Sequence, residues 1–263
     1  MAINLSQLSA PKGQRPIIAT IVGEGGIGKT SLAASFPSPV FIRTEDGTQS
    51  IAGRDDVALF PLATSSQDVL DAIASLATEQ HSFETLVIDS ITQLNTLIES
   101  EIVASDGKAK SINQALGGYG AGHAAVSDRH RTIREWAGNL STHVGMNVVF
   151  IAHADSETVE TPDNPPFTRY TLRMNRRSVA HYSDNVDLVA FLKLRTFTSG
   201  DGERKRAASN GERIITCYPT PSHISKNRFG ITTDLTFAAG ENPFAQLAYR
   251  RPSPQHEPVA QAA

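Results

Sequence analysis

The sequence predicts an α/β fold: a mostly parallel sheet between helices, with a C-terminal antiparallel β extension. Three observations carry this. Short apolar runs alternate along the chain with segments whose apolar residues recur at helical spacing. The runs are continuously apolar, the pattern of strands buried on both faces of a parallel sheet. After residue 155 the pattern changes to longer β-like runs separated by turn residues.

The elements follow in order. Residues 1–15 read as a lead-in, 16–249 as one core, and 250–263, RRPSPQHEPVAQAA, as a disordered tail. Ile17 to Val22 is a buried strand. Thr30 to Phe36 begins a helix that Pro37 and Pro39 stop. Val40 to Thr44 and Val57 to Leu62 are further strands. Ser66 to Glu79 places Val69, Leu70, Ile73, Leu76 and Ala77 on one helical face. Leu86-Val87-Ile88 is a buried strand ending in Asp89, and Ile91, Leu94, Ile98 and Ile102 continue at helical spacing. Residues 105–122 read as a loop. Val126, Ile133, Trp136, Leu140 and Val144 mark another helix, and Val148 to Ala152 another strand. Residues 155–168 read as an acidic, proline-rich loop. Residues 187–197 and 212–218 read as strands around the turn segment SGDGERKRAASNG.

Bulk composition narrows the function. The chain has 263 residues, 40% of them hydrophobic, enough for a sizeable core, and a net charge of −3. Any nucleic-acid contact must therefore come from local basic patches. Cys217 is the only cysteine, which excludes an internal disulfide and a multi-cysteine zinc site. The N-terminus, MAINLSQLSAPKGQRP, is polar, and no apolar run reaches membrane length. A cytoplasmic protein without a membrane partner is expected.

The most informative stretch is VGEGGIGKTSL, between the first strand and the first helix. Gly23-x-x-x-x-Gly28-Lys29-Thr30 fits the Walker A pattern. Glycines let successive N–H groups turn inward around an anion, and the helix after them adds its positive end. Gly23, Glu24, Gly25, Gly26, Ile27, Gly28, Lys29, Thr30 and Ser31 are thus expected to hold the phosphates of ATP. Lys29 reaches the outer phosphates and Thr30 ligates Mg²⁺.

Asp89, closing an apolar strand, is the expected carboxylate for the Mg²⁺ shell, through water. The competing role is the N-cap of the following helix. Residue 90 is serine, so the water-activating glutamate found there in many P-loop ATPases is missing. Glu45, closing Val40-Phe41-Ile42-Arg43-Thr44, is the expected base, with Asp46 as its rival. His153 ends Asn147-Val148-Val149-Phe150-Ile151-Ala152 and is placed to report the γ-phosphate, or else is structural.

In order, GEGGIGKT, FIRTE, LVIDS, VVFIAH and then His223-Ile224-Ser225-Lys226-Asn227-Arg228-Phe229 resemble the RecA-like ATPase core over residues 15–247. The likeness is greatest to short phage RecA-like ATPases, among them Sak group four of the single-strand annealing proteins. About 20 residues precede Gly23, in agreement with that group, and Gly117-Gly118-Tyr119-Gly120 also looks like it. The resemblance implies a homo-oligomer, ring or filament, with nucleotide at the subunit interface. It implies that Lys226 and Arg228 act in trans on the neighbour's nucleotide. It further implies single-stranded DNA as partner, with a single-strand-binding protein as a further partner class. One departure is the acidity after His153 (Asp155, Glu157, Glu160, Asp163), unusual for the recombinases' DNA loop.

Two segments are expected to face such an assembly's axis: 105–122, with Lys108, Lys110 and Tyr119, and 154–177. Arg169, Arg173, Arg176 and Arg177 are the candidate DNA-binding residues, with Tyr170 or Phe167 offering a stacking face. Arg204, Lys205 and Arg206 form another basic cluster; any such cluster can equally be a solvated face. The expected function is a DNA-stimulated ATPase of phage recombination type, promoting annealing or strand pairing. The alternatives are a replicative-helicase-like motor, a nucleotide kinase, and an ATP-gated protein-binding module.

Overall fold

The structure, a computed structural model, describes residues 13, 15–199, 206–238 and 240–250. The strands are β1 (Ile18–Gly23), β2 (Pro39–Arg43), β3 (Ala58–Leu62), β4 (Thr85–Asp89), β5 (Asn147–Thr161), β6 (Asn164–Leu172), β7 (Leu188–Ser199), β8 (Arg206–Thr216), β9 (Lys226–Asn227) and β10 (Leu235–Thr236). The α-helices are α1 (Lys29–Ala33), α2 (Ser66–Thr78), α3 (Ile91–Ser105), α4 (Ala121–Asn139) and α5 (Val179–Ser183).

The sheet order is β10-β8-β7-β1-β5-β4-β2-β3, with β6 paired to β5 and β9 to β7. The six strands from β7 to β3 are parallel. β8, β9 and β10 are antiparallel additions on the β7 side. The α/β P-loop fold read from the sequence, with its antiparallel β extension, is the fold observed.

Burial explains the apolar runs. Every residue of β4 is buried. Leu86 and Ile88 face one apolar cluster and Val87 the other. Val148, Phe150 and Ala152 of β5 likewise alternate with Val149 and Ile151. One cluster is roofed by α2, α3 and α4 through Val69, Ile73, Leu94, Ile98, Val126 and Ile133. The other is closed by Leu32 and Ala33 of α1 with Phe36, Phe237 and Phe244. Both faces are covered, so the central strands are largely apolar, and a buried polar residue there is hydrogen-bonded, as Thr20 Oγ1 is to Tyr182 O at 2.7 Å. α2 starts at a capping box between Ser65 and Asp68.

Several boundaries differ from the sequence reading. α1 is only five residues long; beyond Ala33 the chain tightens into turns, Ser35 N to Leu32 O and Phe36 N to Ala33 O, before Pro37. The segment 155–168 is not a loop. β5 continues through Thr161 and turns back as β6, pairing Glu157 with Arg169 and Val159 with Phe167. Pro165 and Pro166 are accommodated because β6 is an edge strand there, with exposed residues. His153 therefore lies within a strand, not at its end. α4 ends in a π-helical turn, Leu140–Val144. Residues 105–122 do form a connection, and within it Leu116 and Tyr119 hold positive φ angles of 57° and 50°.

Residues 204, 205 and 251–263 lie outside the described residues, with the basic cluster and the tail read there; of Arg206 only the backbone, opening β8, is described. Among the described residues no helix is long and apolar enough to cross a membrane.

Candidate active site at the phosphate loop

Gly23 closes β1 with His153 of β5 as its register partner on one side and Leu192 of β7 on the other. A Cβ on Gly23 would come 2.5 Å from the Leu192 carbonyl oxygen, so only glycine fits the seam. Gly26 and Gly28 take φ of 73° and 107°, the left-handed backbone that folds the loop back on itself. Lys29 is buried, and its Nζ donates to the carbonyls of Gly23 (3.0 Å) and Glu24 (2.7 Å). Burial lowers its pKa, against the pull of Asp89 and Glu45. The arrangement suits a polyphosphate: a desolvated ammonium under a glycine loop gains more from an anion than from two carbonyls. Because α1 is so short, loop amides and the Lys29 charge supply this affinity more than a helix dipole does.

Thr30 Oγ1 donates to Asp89 Oδ2 at 2.8 Å. Burial pushes the Asp89 carboxyl above its usual range, while the Thr30 hydrogen bond pulls the other way. A hydroxyl and a buried carboxylate side by side are oxygen donors of the hard kind that Mg²⁺ takes, so the residues fit that ion. The cap of α3 is not Asp89 but Ser90, whose Oγ accepts the Gln93 N–H at 3.2 Å. Asp89 is thereby left for the site.

This makes a stability prediction. A carboxyl whose folded pKa is raised keeps its full contribution only below its unfolded pKa, and loses it as pH rises through the folded value. Asp89→Asn, which removes that charge, is expected to melt at or above wild type near neutral pH without metal. Its Mg²⁺ affinity in the presence of nucleotide should fall about 10–100-fold. Thermal melts and a Mg²⁺ titration check both halves; a destabilised variant with normal Mg²⁺ dependence would contradict the assignment.

Glu45 sits just beyond β2, where Thr44 laces the strand end to β4. Thr44 N donates to Asp89 O (2.9 Å), Thr44 Oγ1 donates to Ser90 O (2.7 Å) and accepts from Ser90 N (2.9 Å). Glu45 Oε1 lies 3.2 Å from His153 Nε2, and His153 Nδ1 lies 3.5 Å from Lys29 Nζ. The tautomer with Nε2–H and an open Nδ1 satisfies both neighbours. The His153 hydrogen bond holds the Glu45 carboxyl below its usual range. Asp46, the rival base, has an 82% exposed side chain lying 3.8 Å from Arg43. Glu45, His153, Lys29, Thr30 and Asp89 are thus one connected constellation. Thr92, which the sequence reading missed, holds His153 by accepting its backbone N–H at 2.9 Å.

The arginines divide. Arg169 is bound across the hairpin to Glu157 at 2.8 Å and stands apart from the others. Arg173, Arg176 and Arg177 line a groove of about 750 Å³ with Asn95, His123 and Asn175; Glu99 and Asp155 also reach it. Its floor is rigid. Asn95 Oδ1 accepts the Asn175 N–H (3.0 Å), and Asn175 Oδ1 accepts that of Arg177 (3.0 Å). Behind it His130, driven by burial to a pKa of about 3, bridges Asn95 and Tyr182 as a neutral ring. Arg177 Nη1 also donates to Gly120 O at 3.1 Å.

Lys226 and Arg228 stand elsewhere. β9 pairs with the start of β7, at Leu188 and Val189, whereas Gly23 pairs with Leu192. Lys226 Nζ donates to Asp184 O (2.5 Å), and Arg228 shares Asp187 with Arg15, each at 2.9 Å. They do not reach their own phosphate loop.

Comparison with known proteins agrees with this geometry. Residues 15–229 match AAA_24, an AAA domain. The SPbeta prophage-derived uncharacterized protein YorG of Bacillus subtilis (strain 168) is 22% identical over 232 residues, 88% of this chain; the chain spans only 65% of that relative's length. Neither comparison names a single-strand annealing group. With the family match covering most of the chain and the phosphate loop built as described, the chain belongs to the AAA_24 family of AAA domains and is a P-loop NTPase.

Proposed function

We propose that this chain is a DNA-directed ATPase of phage recombination type, which binds single-stranded DNA as an oligomer and promotes annealing or strand pairing. The observation that carries the reading is a shared stretch of backbone. Arg173 N donates to His153 O at 2.8 Å, and Arg173 Nη2 to Ala154 O at 3.0 Å. The residue that touches Glu45 and Lys29 is thus tied directly to the arginine groove. An anion arriving at the groove and a phosphate arriving at the loop act on one segment, which gives coupling a physical route. Tyr119, fully exposed on the α3–α4 connection, adds a stacking surface beyond Gly120.

Glu45 accepts the proton of the water that attacks the terminal phosphorus of ATP; the bond to the β–γ bridging oxygen breaks, and ADP and phosphate leave. His153 fixes the Glu45 carboxylate and faces Lys29. Lys29 exchanges its two carbonyl acceptors for phosphate oxygens. Thr30 and Asp89 would hold Mg²⁺, which when bound neutralises charge on the outer phosphates. Because Lys226 and Arg228 lie away from their own loop, the trans role that the resemblance implies requires a second copy; ATP at that seam stabilises the assembly and hydrolysis loosens it.

The test is ATPase rate with and without single-stranded DNA, with particle mass measured in the same samples. Stimulation by DNA and a rate that rises with assembly are expected. A monomer hydrolysing at full rate, indifferent to DNA, would leave only a P-loop NTPase. Unwinding of a forked duplex would favour a helicase-like motor instead. Salt dependence sharpens the test. Three arginines each neutralising one phosphate give a log–log slope of about −2 for single strands, and losing Arg176 or Arg177 reduces it by about 0.7. Arg169→Ala should leave the slope unchanged, because Glu157 already neutralises that charge.

A further inference from the structure

We propose that Arg213, on β8, contacts the inner phosphates of the nucleotide bound to its own chain. The inference deepens the ATP reading above and rests on it. A Cβ on Gly28 would lie 3.3 Å from Arg213 Nη1 and 3.3 Å from the Phe237 ring. The guanidinium therefore packs against the last glycine of the phosphate loop, an approach that a side chain at residue 28 would crowd. The residue is half-buried; its main-chain oxygen accepts the Phe237 N–H at 3.1 Å, while its guanidinium makes no hydrogen bond or ion pair with the described residues. The adjacent Glu212 is not available to it, being held by Arg195 at 2.7 Å. Arg169, Arg177 and Arg228, by contrast, all have partners.

Arg213 borders two hollows. One, of about 530 Å³, is shared with Glu24, Gly25, Gly26 and Ile27 of the loop. The other, of about 390 Å³, is shared with Gly211, Thr236, Phe237 and Ala238. A partly buried cation beside a loop shaped for anions, with no counter-charge among the described residues, favours an incoming anion.

Sheet order decides which phosphates it meets. β8 lies on the β7 flank of β1, whereas Glu45, His153 and Asp89 gather on the flank of β5, β4 and β2. Arg213 thus approaches from the side away from the hydrolytic end. Gly28, the loop glycine it packs against, belongs to the stretch whose amides cradle the α- and β-phosphates. Its contact is made equally with ATP and ADP, so it supports binding and leaves the chemical step alone.

The experiment titrates the full chain with fluorescent ADP and with a non-hydrolysable ATP analogue, comparing wild type, R213A, R213K and R213M. R213A and R213M should weaken both ligands about tenfold, the scale of one charge-assisted hydrogen bond. R213K should recover part of the loss, keeping the charge without the fork, and the ATP concentration giving half-maximal hydrolysis should rise in step with the lost affinity. Unchanged affinity for both nucleotides overturns the proposal. So does a loss confined to the ATP analogue, which would put the guanidinium at the terminal phosphate. A lowered melting temperature of nucleotide-free R213M with normal affinity would make Arg213 structural and overturn it too. Lys29→Ala is the parallel control: if that variant binds ADP normally, the ATP reading itself fails, independently of Arg213.

Discussion

Glu45→Gln protein is expected to bind ATP with near-normal affinity and to hydrolyse it about 10²–10⁴-fold more slowly, the usual contribution of a general base. The substitution keeps the shape of the side chain and its contact with His153 Nε2 while removing the basic oxygen. The effect should fall on kcat. Single-turnover hydrolysis measured beside an equilibrium binding titration separates the two. A normal rate would remove Glu45 from the chemistry and leave the site without a base, since Asp46 points to solvent. The pH behaviour follows from the direction of the shift. Glu45 is depressed, chiefly by the His153 hydrogen bond, so its contribution to stability is present above the ordinary carboxylate value and is lost as pH falls through the lower folded value. Glu45→Gln should therefore flatten the acid side of the stability–pH curve.

The second large effect is expected from Lys226→Ala/Arg228→Ala. A cation delivered to the transferring phosphate from a neighbouring subunit is worth about 10³–10⁵ in rate in related NTPases. The double variant should fold. Arg15 still pairs with Asp187, whose Oδ2 also accepts the Ile18 N–H at 3.1 Å, and Lys226 gives up only a carbonyl contact. Alone it should be nearly inactive, as should Lys29→Ala. Mixed one to one, an interface works when its loop comes from the first variant and its cations from the second. That holds for about a quarter of random head-to-tail contacts, so up to about a quarter of wild-type activity should return. No recovery, with both proteins folded and assembled, would assign Lys226 and Arg228 to fastening β9 against the start of β7.

The phosphate loop was legible because its logic is local: Gly23 to Thr30 act through their own backbone, and their spacing along the chain is their spacing in space. Asp89 was legible because an apolar strand advertises its end. Ser90, next to it, proved to be the helix cap. The hairpin of β5 and β6 was not legible. Its residues alternate between half-buried and exposed with no apolar face, and two prolines disguise an edge strand. Arg169 was grouped with Arg173, Arg176 and Arg177 by proximity in sequence; strand pairing gave it to Glu157.

By itself the sequence determined the class of fold, the presence of a nucleotide loop, and the carboxylates that could serve it. Only the tertiary structure decided which of these touch. Glu45 and His153 are 108 residues apart and meet because β5 inserts between β1 and β4. Arg213 reaches Gly28 because β8 follows β7 on the opposite flank of β1. Periodicity records what each strand buries, but the order in which buried strands lie side by side is set by the packing of the whole sheet. That order places the cations and carboxylates around the phosphate.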